Sequence, residues 1–217
     1  MAVTVQSVID KVQLVLQDTS GIRWTSGELV DWINDAQREI VLLKPDSLAT
    51  NATVTLVTGT KQSIPTGGNR LLGVVRNMSA ASGGTGGRSI RIVDKEILDA
   101  QVPTWHDPAS TGDSAHGTTV KHYIYEETNP RNFYVYPGVD GNAFIEIIYS
   151  SNPSIVAIGD SIGLPDIFAN AIMNYTIYMA YMKEAEYAGN QQRASGHFNL
   201  FLTSVTGKAQ IDAMTSP

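Results

Sequence analysis

The sequence contains no cysteine and little charge. The absence of cysteine among 217 residues excludes a disulfide framework, a thiol nucleophile, a Cys-ligated zinc site and an iron–sulfur cluster. Asp, Glu, Lys and Arg make up 17% of the chain, whereas they make up about a quarter of an average globular protein. We therefore expect part of the surface to face protein instead of water.

Positive charge and long apolar runs are scarce as well. Fifteen Lys and Arg against 21 Asp and Glu give a net charge of −6, so the positive field that attracts a phosphate backbone is missing and general nucleic-acid binding is not expected. The most apolar stretch, residues 167–182, is interrupted by Asn170 and Asn174 and is too short for a membrane span. No signal peptide is predicted, because no basic segment precedes an apolar one at the N-terminus. We expect a soluble protein with no membrane partner.

Two amphipathic helices are predicted near the N-terminus. The second begins after Thr25, which can cap it, and Glu28 can complete a capping box three residues later. Lys44-Pro45 ends this helix, because proline disfavours helical backbone at the residue before it. The predicted buried stripes follow a spacing of three and four residues. They are Val5, Val8, Ile9, Val12, Val15 and Leu16 in the first helix, and Leu29, Trp32, Ile33, Ala36, Ile40 and Leu43 in the second.

After Pro45 the apolar period changes from 3.6 to 2, and Thr, Val, Tyr, Ile and Gly become frequent. This pattern predicts a β region whose short connections favour antiparallel pairing. A short helix is predicted at residues 95–101. Two long loops are predicted: a flexible, partner-facing Gly/Ser-rich loop at 79–87 and a second loop at 103–119. The candidate strands are 53–58, 61–64, 71–78, 89–93, 120–126, 133–136 and 143–149.

Helical patterns return at Leu164-Pro165-Asp166 and continue to about residue 188. This helix is apolar nearly all the way round, so it must be central or at an interface. Gly189-Asn190 is predicted to end it and to start a last, antiparallel helix. The predicted fold class is α+β, an α-helical bundle built from N- and C-terminal helices with a β-rich antiparallel insertion between them. The predicted domains are a helical core domain, residues 1–50 and 160–217, and a β-rich inserted domain, residues 51–159.

Motifs that could carry chemistry are weak. Gly-Asp-Ser occurs at 112–114 and 159–161, which matches the core of a lipase-type nucleophile motif. Asp113 and His116 would supply an acid and a base beside Ser114, but the loop offers no rigid support, so plain turns are the better interpretation. Five residues of types that bind zinc lie close together in the sequence: His106, Asp107, Asp113, His116 and His122. Their spacing matches no compact ligand template, so no metal, no cofactor and no catalytic residue is predicted.

Tyrosine and methionine recur at helical spacing in the stretch 167–182. Both types are enriched at the core of protein–protein interfaces, although a plain helical core explains the same stripe equally well. The candidate interface residues on this helix are Tyr175, Tyr178, Met179, Tyr181 and Met182.

Several short segments together carry a family resemblance. They are residues 23–40 (RWTSGELVDWINDAQREI), 44–46, 102–105, 133–137 and 164–166. Their order and spacing resemble those of the head-to-tail adaptor proteins of tailed bacteriophages, also called connector or tail tubular proteins. The resemblance covers nearly the whole chain, and its motifs are structural and specify no reaction.

The resemblance implies a structural virion protein, not an enzyme. It would be one subunit of a homo-oligomeric ring, commonly of twelve copies. The ring would dock beneath the portal protein and bind a downstream tail protein, and the chain would be in the host cytoplasm during assembly. DNA would only pass through the lumen, which suits a negative chain. In such families the C-terminal segment often reaches into the portal, so Ile211 and Met214 are candidate interface residues there. The alternative is a tail-associated hydrolase or carbohydrate-binding protein that uses the aromatic strands and the loop at 106–122.

Overall fold

The computed structural model describes the backbone of residues 2–215 and the side chains of residues 2–207. The chain divides into two compact units. A helical unit takes in Met1–Leu48 and Asn152–Pro217, and a β unit takes in Ala49–Ser151. The predicted α+β fold class, with helices from both ends of the chain and a largely antiparallel insertion, is confirmed. The assignment of residues 1–50 and 160–217 to a helical core domain and of residues 51–159 to a β-rich inserted domain stays a prediction.

The described part of the chain forms five α-helices. Thr25 and Glu28 make the predicted capping box, in which each side chain accepts the backbone N–H of the other residue. Because these bonds are local, the second helix begins where the sequence predicts. The helices are α1 Val5–Leu16, α2 Ser26–Leu43, α3 Lys95–Gln101, α4 Ala169–Lys183 and α5 Ala188–Thr215.

The helix predicted to continue to about residue 188 ends earlier in the structure. α4 stops at Lys183 and α5 begins at Ala188, so the predicted break at Gly189-Asn190 falls inside α5. A backbone hydrogen bond from Tyr187 to the Glu184 carbonyl closes the turn between the two helices. The same carbonyl accepts the Asn190 side-chain amide at 3.3 Å. Asn190 therefore stabilises the turn before it instead of starting a new helix.

α4 contacts α1, α2 and α5, and all four helices contribute to one apolar core. Trp24, which precedes α2, is 2% exposed, and its indole N–H donates to the Ala180 carbonyl of α4 at 3.2 Å. Three members of the predicted buried stripes lie further out: Trp32 is half-buried, and Val15 and Leu43 are exposed. These three positions lie at the edges of their stripes, where the neighbouring helices no longer cover them.

Two buried amides fasten the segment that follows the β insertion to α2. The Val156 N–H donates to Asn34 Oδ1 at 2.9 Å, and Asn34 Nδ2 donates to the Val156 carbonyl at 3.0 Å. Gln37 Oε1 accepts the Gly163 N–H at 2.6 Å. Since buried backbone groups need partners, these bonds hold the segment on the helical unit. Residues 152–159, which the predicted domain division assigns to the insertion, therefore pack with the helices.

The β unit contains two four-stranded sheets. The described strands are β1 Ala49–Thr55, β2 Gly59–Ser63, β3 Gly68–Met78, β4 Gly86–Ser89, β5 Arg91–Ile92, β6 His122–Ile124, β7 Asn132–Val139 and β8 Phe144–Ser151. One sheet has the order β1-β8-β3-β4, and the other has the order β2-β7-β6-β5. Every pair of neighbouring strands is antiparallel except β5 and β6.

Side chains from both sheets meet in one apolar core, which includes Phe133 and Ile147. A smaller cluster joins α3 to the second sheet around Trp105, which is fully buried. The strand predicted at 89–93 is in fact two short strands in different sheets, and the buried Ile90 lies between them. A single run of β-forming residues therefore changes sheets, which strand periodicity alone does not reveal.

Candidate interaction interface

Most of the predicted interface residues on α4 are covered by their own unit. Met182 is 42% exposed. The others are Tyr181, which is buried, and Tyr175, Tyr178 and Met179, which are half-buried. Ile211 and Met214 lie outside the side chains that the structure describes. The central position of α4 therefore accounts for most of its apolar circumference.

Two of these tyrosines belong to an aromatic seam between α4 and α5. The ring of Tyr175 lies 5.1 Å from that of Phe201, and the ring of Tyr178 lies 4.9 Å from that of Phe198. Tilted and edge-to-face contacts of this kind stabilise a core beyond the area that they bury. Burial raises the pKa of Tyr175, and the negative charge of Glu39 raises it further. The seam thus borders an acidic surface.

That acidic surface is the outer side of α2. Asp31, Asp35 and Glu39 lie on successive turns, and Leu42, which is 74% exposed, continues the same side. Arg38 pairs with Asp35 at 2.7 Å. Among residues 2–207, neither Asp31 nor Glu39 makes an ion pair. Helical periodicity places Asp31 and Asp35 outside, but it does not reveal which charges are left uncompensated.

Basic side chains gather where β4 passes into β5. Arg88 and Arg91 are exposed and form no ion pair within the part of the chain whose side chains are described. Lys121 pairs with Asp113 at 3.0 Å. Burial lowers the pKa of His122, and the positive charges of Arg88, Arg91 and Lys121 lower it further. This corner is locally positive on a chain of net negative charge.

The loop between α1 and α2 presents an exposed isoleucine on a well-fixed backbone. The Asp18 carboxylate accepts the backbone N–H groups of Ile22, Arg23 and Trp24, and these bonds lower the pKa of Asp18. Arg23 also forms an ion pair with Glu184, beyond the end of α4. Ile22 itself is 83% exposed. The Ile22 side chain is therefore available for contact with a partner, and the turn residues of this loop conceal it at the level of sequence.

The structure does not assemble the catalytic group considered for the loop at 112–116. Ser114 Oγ lies 3.0 Å from the Tyr136 hydroxyl, and the Asp113 carboxylate binds Lys121. The Nε2 atom of His116 is buried and has no hydrogen-bond partner among the described residues. An activated serine needs its hydroxyl beside a base that an acid orients, and these contacts do not provide that order.

The second Gly-Asp-Ser triplet and His106 also have structural roles. Asp160 accepts the Ala157 N–H at 2.8 Å and so closes a turn. His106 Nδ1 lies 2.7 Å from Thr60 Oγ1, and its ring stacks on Trp105 with centroids 3.6 Å apart. Within the described residues, no group of three or more His, Asp or Glu side chains is placed to hold a metal ion.

The Gly/Ser-rich segment 79–87 runs from the end of β3 into the first two residues of β4. The Ser79 N–H donates to the Thr85 carbonyl at 3.1 Å, and the Thr85 N–H donates to Ser79 Oγ at 2.8 Å. These bonds close the base of a hairpin, so the segment predicted as a flexible loop is tied at its ends. The prediction that it faces a partner stays a prediction.

The model of the SU10 adaptor protein family matches residues 3–217 of the chain. The chain belongs to this family. The resemblance to phage head-to-tail adaptors, inferred from motifs such as 23–40 and 164–166, is therefore confirmed. No curated protein matches the chain.

An SU10 adaptor acts by joining proteins, so its functional features are surfaces. Those that the structure offers are the acidic side of α2, the basic corner between β4 and β5, and the exposed loop around Ile22. Among the described helices, none combines the length and the apolar character that crossing a membrane requires.

Proposed function

We propose that this SU10 adaptor is the subunit of a closed ring that docks beneath the portal of a tailed-phage head. The ring, commonly of twelve copies in proteins of this kind, passes DNA through its lumen and offers a binding surface to the next tail protein. The adaptor is then part of the virion at the head–tail interface, after assembly in the host cytoplasm. The observation that carries the proposal is the family match over residues 3–217, because it spans both units.

The charge of the chain supports a channel through which DNA slides. A net charge of −6 gives no general attraction for phosphates, so DNA is not gripped as it passes. Copies joined head to tail use two different surfaces of each chain, and such heterologous contacts close a ring when the rotation between copies allows it. The separate acidic and basic surfaces of this chain meet that requirement.

We place the contacts between the adaptor and its partners on the two C-terminal helices. Residues 207–217 are proposed to reach the portal, with Ile211 and Met214 as apolar anchors. Met182 and the exposed parts of Tyr175 and Tyr178 are proposed to border a neighbouring copy. The remaining candidates, Met179 and Tyr181, support that border from beneath.

We infer that the adaptor works without catalysis. The contacts of Ser114 with Tyr136 and of Asp113 with Lys121 support this inference, since they engage the side chains that a serine hydrolase would need. A double variant, Ser114→Ala with His116→Ala, is expected to bind the portal as the wild type does.

The experiment is to mix the purified chain with portal-bearing heads that lack an adaptor, and to image the particles by electron microscopy. We expect a ring of added density on the portal for the wild type and for the Ser114→Ala/His116→Ala control. A chain truncated after Thr206 should lose this density while keeping most of its helical circular dichroism, because it loses only the last turns of α5. If the wild type shows no ring density on the portal at every salt concentration tested, the proposed function is refuted.

A further inference from the structure

The basic corner, which we define as Arg88, Arg91 and Ile92, combines uncompensated positive charge with exposed apolar surface. Both arginines are exposed without an ion pair among residues 2–207, and Ile92 is 63% exposed. Arginine is enriched in interfaces, and a guanidinium group can bind a carboxylate through two hydrogen bonds. Four other cations of the β unit already have carboxylate partners: Arg70, Arg76, Lys95 and Lys121.

The acidic face, which we define as Asp31, Asp35, Glu39 and Leu42, has the complementary composition. It follows the outer side of α2, and Leu42 supplies its exposed aliphatic group. Arg38 neutralises Asp35, so Asp31 and Glu39 carry the uncompensated charge in the described part of the chain. Each surface thus has two free charges and one exposed branched aliphatic side chain, with opposite signs of charge.

We propose that the basic corner of one copy binds the acidic face of a second copy of this chain. This inference rests on the proposed ring and identifies the surfaces that build it. Each copy carries one basic corner and one acidic face, so each copy has two neighbours. Two different surfaces that bind each other form a heterologous contact, which is the kind that generates rings.

A second copy fits the basic corner better than DNA does. Two unpaired arginines neutralise few phosphates, and affinity for a nucleic-acid backbone depends on how many are neutralised. The net charge of −6 also repels a polyanion at long range. A carboxylate pair on a protein surface, in contrast, matches two guanidinium groups in number.

A charge-swap experiment tests this pairing. The R88E/R91E variant has a negative corner, and the D31K/E39K variant has a positive face. In either variant alone, like charges meet, so self-association in sedimentation velocity at low salt should weaken by about tenfold or more. In an equal mixture, the negative corner meets the positive face while the unmodified corner meets the unmodified face, so association should return to the wild-type level.

Two sets of controls accompany the swap. K61E/R131E reverses two exposed cations of the β unit that lie outside the basic corner, and it should associate as the wild type does. The neutral variants R88Q/R91Q and D31N/E39N should each weaken association. In their mixture only the unmodified corner and the unmodified face still attract each other, so association should stop at pairs of chains and stay below the wild-type level. Circular dichroism verifies that each variant is folded.

Four results would overturn the inference. The first is a wild-type chain that stays monomeric at low salt, and the second is a charge-reversed variant that associates as the wild type does. The third is an equal mixture of the two folded, charge-reversed variants in which self-association does not recover. The fourth is an R88E/R91E variant that loses DNA binding while its self-association is unchanged. Portal binding is measured in the same samples. Portal binding without recovery in the mixture refutes only this interface, whereas recovery without portal binding refutes only the proposed function.

Discussion

Replacing Trp24 by alanine tests how the helical unit is held together. The indole is 2% exposed, and its N–H donates to the Ala180 carbonyl in α4, while the Trp24 backbone N–H donates to Asp18 at 2.9 Å. One residue therefore joins the loop before α2 to the C-terminal half of α4. Its removal both empties a large site in the core and leaves the Ala180 carbonyl without its indole donor.

The magnitude follows from these two effects. Truncating a buried tryptophan to alanine costs about 3 to 5 kcal/mol, and a buried carbonyl that loses its donor adds to the cost, so we expect a loss near the upper end of that range. Trp24→Phe keeps most of the apolar volume and loses only the hydrogen bond, so it should cost about 1 to 2 kcal/mol. Trp32→Ala is the matched control, because Trp32 is half-buried and should cost less than half as much as Trp24.

Urea unfolding followed by circular dichroism at a helix-sensitive wavelength measures these losses. Because the chain divides into two compact units, the data are fitted with a separate transition for each unit, and the comparison concerns the helical one. The expected order of destabilisation is Trp24→Ala first, with Trp32→Ala and Trp24→Phe well behind. A Trp32→Ala variant as unstable as Trp24→Ala would show that burial and hydrogen bonding have been assigned to the wrong tryptophan.

Further predictions concern a buried amide, a helix cap and two histidines. Asn34→Ala leaves the Val156 N–H and carbonyl unpaired. The free energy of unfolding, measured by urea titration, should therefore fall by about 2 to 4 kcal/mol. A loss under about 1 kcal/mol would contradict the role assigned to Asn34. Thr25→Ala should cost about 1 kcal/mol through loss of the N-cap, whereas Thr25→Ser should be nearly neutral. Burial lowers the pKa of His106 and of His122 below the ordinary 6.5. As the pH falls below 6.5, the unfolded chain therefore binds more protons than the folded chain does. The free energy of unfolding of the β unit should fall with the pH until the folded-state pKa values are passed. Thermal melts of H106Q/H122Q should show a weaker dependence on pH over that interval, and an unchanged dependence would remove the two histidines as its cause.

Elements with locally encoded ends are predictable from the sequence. The start of α2 depends on Thr25 and Glu28, three residues apart, and α3 needs only its own helical pattern. The sheet order is not predictable in this way. β1 pairs with β8 at the far end of the insertion, and β5 runs parallel to β6, because these pairings depend on which faces meet in the core.

The candidate interface was predictable only in part. Helical periodicity places Asp31 on the outside of α2, but whether a charge is compensated depends on neighbours distant in the sequence. Arg70 and Arg76 find carboxylates, whereas Arg88 and Arg91 find none within the described side chains, and no local pattern separates the two pairs. Only the folded chain makes that distinction.

The position of α4 changes what kind of force should join the copies. An apolar helix that is uncovered would drive association by burying apolar surface, and such association depends weakly on salt. Because α1, α2 and α5 cover much of α4, the proposed contact between copies depends on the exposed charges of the basic corner and the acidic face. Contacts between exposed charges are screened as the Debye length falls from about 30 Å at 0.01 M salt to about 3 Å at 1 M. Self-association that strengthens or stays constant over this range would show that apolar residues at the border with the neighbouring copy, such as Met182 of α4, drive the contact instead of the charges.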